Sequence, residues 1–187
     1  MERSDCLPFD DFSLFFSALR FCAQRHCHQT RKDAERTPYF NHPVEVAELI
    51  WRVGGVHDLT ILSAALLHDI IEDTVTEPAE IRELFGDEVL SLVLEVSDDK
   101  TLPKDKRKEL QVIHAPGLSH GAKLIKLADK ICNARDVIFS PPSGWQIERR
   151  REYLDWAERV VRGMGKVNAR LEEQFYIFLA EGKEKLK

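Results

Sequence analysis

The stretch Ala64-Ala65-Leu66-Leu67-His68-Asp69-Ile70-Ile71-Glu72-Asp73-Thr74 decides the fold class of this chain. The run from Ile61 to Leu67, interrupted only by Ser63, is too apolar for a surface helix and is expected to be a buried one. It leads directly into His68-Asp69 and then Glu72-Asp73. Charges in an interior have to be paired or bound to a metal. Residues four apart on a helix are neighbours, roughly 6 Å apart, so a continuous helix sets His68 beside Glu72 and Asp69 beside Asp73. One turn then offers two metal ligands, and the next offers two carboxylates for proton transfer. The plain alternative is a helix end carrying a few solvated acids.

Working outward, the chain of 187 residues is long enough for one domain with a real core. Hydrophobic residues at 43% and charged residues at 32% place it among soluble globular chains. The net charge of −5 argues against a general nucleic-acid binder, whose affinity comes from neutralising phosphates. A local basic patch for a small anion remains compatible with that balance. No stretch is long and apolar enough to span a membrane. The N-terminus, with Glu2 and Asp5, does not read as a secretory signal, so a cytoplasmic protein is expected. Cys6, Cys22, Cys27 and Cys132 show no disulfide spacing. Cys22 with His26-Cys27-His28 is weighed as a zinc box, but it lacks a CxxC pair and reads better as small residues on a packed helix.

A helix is expected from Asp11 to Gln29, with Phe12, Phe15, Leu19 and Cys22 near helical spacing. Pro38-Tyr39-Phe40-Asn41-His42-Pro43 is turn-like, since residues before proline avoid the helical region. Pro43 suits a helix start, and Gly54-Gly55 a helix stop. Asp58 is placed to cap the central helix, and Thr76 the next one, with Pro78 in its first turn. Phe85-Gly86-Asp87 is expected to break that helix before Glu88 to Val96 resumes it. Lys104 to Val112 is a short basic helix. Ala122 to Val137 is a helix with an apolar face of Leu124, Ile125, Leu127, Ala128 and Ile131. Asp129 and Asn133 share one stripe of it, and Lys126 and Lys130 another. Two closing helices cover Trp145 to Met164 and Val167 to Leu179. No strand is expected. The expectation is an all-α, single compact helical bundle over residues 1–187, with 1–7 a loose arm and 181–187 a frayed tail.

His42, His68, Asp69 and Asp129 are metal-type ligands in three separated places, a set that suits Mn²⁺ with positions left for water. Glu72 and Asp73 stand one turn away, where a general acid or base is needed. Taken singly, Asp129 is an acid beside a helix lysine and His42 a loop histidine. Their convergence is what would raise them.

These pieces resemble the HD-domain phosphohydrolases, whose metal is held by a His, an adjacent His-Asp pair and a distant Asp. Within that superfamily the chain is similar to the (p)ppGpp hydrolase domain of RelA/SpoT enzymes. The motifs are His26-x-x-Gln29-x-Arg31-Lys32, Pro38-Tyr39-x-x-His42-Pro43, His68-Asp69 with Glu72-Asp73-Thr74, and Lys126-Leu127-Ala128-Asp129-Lys130-x-x-Asn133. Asp98-Asp99-Lys100-Thr101-Leu102-Pro103-Lys104, and Gly144-Trp145 with Tyr153, look closer still to the stand-alone alarmone hydrolases of the metazoan SpoT homologue type. No synthetase, TGS or ACT segment is expected.

The resemblance implies that His42, His68, Asp69 and Asp129 hold Mn²⁺, and that Glu72 and Asp73 handle the water and the leaving 3′-oxygen. It places Arg31 and Lys32 near the scissile pyrophosphate or the base, and Asn133 and Tyr153 against the nucleotide. Lys104 and Arg107 become candidates for the 5′-phosphates. By residue type alone these cations are ordinary solvated ones, and Trp145 and Tyr153 helix-packing aromatics. The implied activity is removal of the 3′-pyrophosphate of ppGpp or pppGpp, with a guanine nucleotide as partner and a homo-oligomer left open. Two alternatives remain: another phosphohydrolase on the same scaffold, such as an NADPH phosphatase or nucleotidase, and a non-enzymatic helical module that binds nucleotide or a partner.

Overall fold

The computed structural model describes residues 11–187. Among the described residues nine α-helical segments and one 3-10 turn follow one another: α1 (Asp11–Arg25), α2 (Asn41–Arg52), α3 (Leu59–Leu66), α4 (Ile70–Asp73), α5 (Pro78–Val96), α6 (Lys104–His114), the turn Ala115–Gly117, α7 (His120–Phe139), α8 (Ile147–Gly163) and α9 (Ala169–Lys185). Among the described residues the single extended pairing is an isolated bridge between Thr30 and Pro38. It closes the loop after α1, with Arg31 N donating to Thr37 O at 2.7 Å and Tyr39 N to Gln29 O at 2.9 Å. The all-α expectation holds. The expected arm, residues 1–7, lies outside the described residues.

Helix α7 organises the bundle because it is apolar on two faces. Ile125 and Ala128 join a core built with α1, α2, α3 and α5, while Leu124, Leu127 and Ile131 join a second core built with α8 and α9. Its remaining stripe, Lys126, Asp129, Lys130 and Asn133, recurs every three to four residues and so shares one face. A polar stripe on a helix otherwise buried on both flanks has to face a cleft, and this one lies along the site described below.

The local signals act where their chemistry is free to act. Asp58 caps α3 by accepting from Thr60 N at 2.9 Å and Ile61 N at 3.2 Å. Gly86, at φ 85°, makes the expected break inside α5. Thr76 does not cap α5: its hydroxyl is bonded to that of Thr74 at 2.7 Å, and Glu77 takes the cap position without a side-chain bond. Helix α1 ends at Arg25 rather than Gln29, and Phe12 and Phe16 point to solvent while Ala18 and Cys22 are buried. Segment 181–187, expected to fray, is helical through Lys185. Leu186 is buried against α8 and α9, and Arg151 donates to the carbonyls of Leu186 and Lys187.

The main departure is in the central stretch. The expected continuous helix is two pieces, α3 and α4, separated by Leu67–His68–Asp69. His68 Nδ1 lies 2.8 Å from the Ala65 carbonyl, so the imidazole takes a position on the helix end that a backbone N–H would otherwise fill. The break turns His68 and Asp69 toward one point, with His68 Nε2 and Asp69 Oδ2 3.1 Å apart.

Candidate active site

The turn between α3 and α4 faces the start of α2 and the polar stripe of α7. Ligand atoms of His42, His68 and Asp69 all lie within 4.8 Å of one another. Asp129 Oδ1 is 3.1 Å from His42 Nε2 and 3.8 Å from His68 Nε2. All of these side chains are at least four-fifths buried. His68 Nδ1–H donates to Ala65 O, which leaves Nε2 facing the cluster as the ring atom able to ligate an ion once its proton is displaced. That Nε2 is buried and makes no hydrogen bond. Buried polar atoms are otherwise almost always bonded. An orphaned imidazole nitrogen aimed at two carboxylates fits a divalent cation, and the mixed nitrogen and oxygen donor set suits a first-row one.

The charges are strongly coupled. Burial pulls the His68 imidazole down, but the Asp69 carboxylate beside it wins and lifts it to about 9. Burial pushes Asp69 up, and the neighbouring His68 and His42 outweigh it and hold the carboxyl below its usual range. Asp129 is held low in the same way, against burial, by Lys130 and His42. In the absence of a cation the His68 imidazole offsets the carboxylate charge, while burial holds His42 below its ordinary value.

Glu72 and Asp73 flank this cluster differently. Glu72 Oε1 accepts from Asp98 N at 2.6 Å, and burial, with the Asp69 charge behind it, raises its carboxyl to about 7. Asp73 lies outward, where Lys100 Nζ donates to Oδ1 at 2.6 Å. Tyr39 joins the two carboxylate groups: its hydroxyl donates to Asp69 Oδ2 and lies 3.3 Å from Asp73 Oδ2.

A cleft of about 340 Å³ opens from the cluster, and a recess of about 490 Å³ adjoins it. Arg31, Lys32, Asn133 and Tyr153 line both, while Lys104 and Arg107 line the first. Arg31 Nη2 donates to Asn133 Oδ1 at 2.9 Å and to Asp136 Oδ2 at 2.7 Å, so it is clamped in place. Asn133 in turn donates to Asp129 Oδ1. Lys104 Nζ sits 5.8 Å from the Trp145 ring, and Trp145 stacks obliquely toward Tyr153 at 5.9 Å. The sequence-chosen residues therefore line one connected cleft, with the ligand cluster at its floor.

Sequence reasoning gave no role to Tyr39, Lys100, Asp98 or Asp136. Tyr39 was visible inside the Pro38-to-Pro43 motif, and Asp98 and Lys100 inside the Asp98-to-Lys104 motif. The contacts of Asp98 to Glu72, Lys100 to Asp73 and Asp136 to Arg31 span 26 or more positions, so no local pattern shows what these residues do. Cys22 is buried in the core and Cys27 exposed, so the weighed zinc box has its thiols facing different surroundings.

A family model described as an HD domain matches residues 18–155. The Xenopus tropicalis protein named guanosine-3′,5′-bis(diphosphate) 3′-pyrophosphohydrolase MESH1 is 48% identical over 92% of this chain and 97% of its own length. The Homo sapiens protein of the same name is 51% identical over 83% of this chain and 87% of its own. A solved structure described as "A metazoan ortholog of SpoT hydrolyzes ppGpp and plays a role in starvation responses" superposes with a TM-score of 0.88. It is 42% identical and covers 90% of this chain and 95% of its own.

Proposed function

Because the chain belongs to the HD-domain family, we propose that it is a guanosine-3′,5′-bis(diphosphate) 3′-pyrophosphohydrolase. It converts ppGpp or pppGpp to GDP or GTP and pyrophosphate, with Mn²⁺ as the metal and the cytoplasm as its place of action. The observation that supports this most is the placement of a buried two-histidine, two-aspartate cluster at the floor of a cleft lined by cations and aromatic rings. That combination suits a polyanionic nucleotide whose scissile phosphate reaches the floor.

His42, His68, Asp69 and Asp129 would hold the divalent ion. When bound, such an ion stabilises charge on the phosphoryl oxygens and acidifies water. The chain's own groups do the remaining work. Glu72, raised to about 7 by burial, is tuned to accept a proton from the attacking water near neutral pH. Asp98 N fixes its second oxygen and so its aim. The water oxygen bonds to the 3′-phosphorus, the bond to the 3′-oxygen breaks, and the released proton ends on that oxygen. Asp73, held by Lys100 and Tyr39, lies on the outer side of the cluster, where the departing 3′-oxygen leaves for solvent. Lys32 and the clamped Arg31 neutralise the scissile group, Lys104 takes the 5′-phosphates, and Asn133 and Tyr153 contact the nucleoside.

The test is product analysis of ppGpp incubated with Mn²⁺ and with EDTA, beside NADPH and nucleoside monophosphates at equal enzyme. Release of pyrophosphate and GDP from ppGpp alone, abolished by EDTA, is expected. Faster turnover of NADPH or a monophosphate would replace this reading with another phosphohydrolase.

A further inference from the structure

Lys126 is a buried cation with no direct ion pair among the described residues. It is 8% exposed, on the polar stripe of α7, one turn before Asp129. Its Nζ donates to the Val96 carbonyl at 2.7 Å and forms no ion pair among the described residues. Lys130, on the same face, is paired with Asp129 at 2.9 Å. Burying an ammonium without a direct carboxylate contact is costly. Burial and Lys130 lower the proton affinity of Lys126, and the more distant Asp129, Asp98 and Glu72 offset this only in part. Arg107 adds a second unsatisfied donor nearby: its Nε is buried without a partner, and Asp98 stays 3.9 Å away. Both residues line the catalytic cleft and also a smaller cavity of about 190 Å³ behind it. The two cations therefore stand on the wall between the cleft and that cavity, next to the cluster.

We infer that Lys126, assisted by Arg107, binds the distal phosphoryl group of the leaving pyrophosphate. This rests on the pyrophosphohydrolase reading above. The proximal phosphorus belongs at the His42–His68–Asp69–Asp129 cluster, where the bond to the 3′-oxygen breaks. The second phosphoryl then needs its own charge within the reach of one diphosphate. Lys126 is one helical turn, about 5 Å along the axis, from Asp129. A phosphate oxygen arriving there gives the buried ammonium a directly contacting anion. Arg107, which the family resemblance offers as a candidate for the 5′-phosphates, then serves this end of the substrate, and Lys104 alone remains for the other.

The experiment measures binding of pyrophosphate, orthophosphate and GDP by calorimetry, in EDTA and with Mn²⁺. The proteins are wild type, Lys126→Met and Lys126→Gln. Methionine keeps the aliphatic stem, and glutamine keeps a donor for the Val96 carbonyl should the first variant not fold. Wild type is expected to bind pyrophosphate more tightly than orthophosphate, and either folded variant to lose about tenfold or more of that margin. Orthophosphate and GDP affinities should stay unchanged. Retention of the margin in a folded variant would reduce Lys126 to a staple for Val96. Equal loss for all three ligands would mean general damage to the cleft and would also overturn the assignment. Turnover of ppGpp by wild type is scored separately. A wild type that shows the pyrophosphate margin but does not cleave ppGpp would sink the proposed reaction while leaving the subsite standing.

Discussion

The backbone amide of Asp98 donates to Glu72 Oε1 at 2.6 Å, across 26 positions of sequence. This bond ties the general-base candidate to the loop after α5 rather than to the metal cluster. On the proposed reading it separates chemistry from metal holding. Glu72→Gln keeps an acceptor for Asp98 N but removes the basic carboxylate. The expected result is a fall in kcat of roughly 10²–10⁴-fold, with KM little changed and metal content at the wild-type level. Asp73→Asn should behave likewise. Lys32→Ala should raise KM instead, since a ground-state phosphate contact is lost. Steady-state kinetics with metal analysis of the three variants checks this. Loss of metal in Glu72→Gln would make Glu72 a ligand.

Glu72 also gives the metal-free protein a pH-dependent weakness. Its carboxyl ionises near 4.5 in the unfolded chain and near 7 in the folded one. Below about 4.5 it is neutral in both states, and above about 7 it is ionised in both. Between them the native state holds a proton that the unfolded chain has released, so stability falls as pH rises through the window. Glutamine removes this dependence. Relative to wild type in EDTA, Glu72→Gln should therefore gain stability between pH 5 and pH 8, by on the order of 2 kcal/mol. Urea unfolding of both proteins at the two pH values measures it. An identical difference at both would show that burial does not penalise the ionised carboxylate.

Gly182 sets two effects against each other in α9. Alanine improves helix propensity by about 1 kcal/mol. Its Cβ, however, would meet Ile138 Cδ1 and Leu154 Cδ1 at 2.8 Å and Ile138 Cγ1 at 2.9 Å. Leu154 is 1% exposed and Ile138 5%, so neither has free space to retreat into. Overpacking of this kind costs about 1–3 kcal/mol and should win. Gly182→Ala is expected to lower the thermal midpoint by a few degrees, about 2–4 °C per kcal/mol, with kcat unchanged at 25 °C. A raised midpoint would mean that the second core yields freely at this point.

The bundle was legible because helical periodicity is local: each apolar face can be read from residues three and four apart. The α7 stripe was legible for the same reason, since Lys126, Asp129, Lys130 and Asn133 interrupt an otherwise apolar helix. The break at Leu67–Asp69 was not, because no Gly or Pro marks it. The competitor is the His68 side chain, which takes the Ala65 carbonyl. Thr76 failed as a cap because Thr74 reaches its hydroxyl first. Tyr39 with Asp69 and Lys100 with Asp73 are pairings across 30 and 27 positions, and only the folded chain brings them together.

The proposed ligands should differ in what their loss does to the protein without metal. His68→Ala and Asp129→Ala are both expected to lose bound Mn²⁺ and activity together, because each removes an inner donor. In EDTA they should part. Asp129 accepts from His42 Nε2 at 3.1 Å, from Lys130 Nζ at 2.9 Å and from Asn133. Alanine there strands Lys130, which is 3% exposed, and breaking a buried pair from one side costs about 3–5 kcal/mol. His68→Ala takes the imidazole from beside Asp69 Oδ2, 3.1 Å away, but that carboxylate keeps the Tyr39 hydroxyl and can neutralise itself by taking up a proton, so the smaller loss is expected there. Asp129→Ala should therefore unfold well below His68→Ala in metal-free buffer, and Asp129→Asn should recover part of the gap by restoring one acceptor oxygen for Lys130 or Asn133. Metal content by mass spectrometry and unfolding midpoints in EDTA read both effects. Full metal occupancy with full activity in either alanine variant would remove that residue from the ligand set. Equal midpoints in EDTA would mean that Asp129 does not neutralise Lys130 in the folded protein.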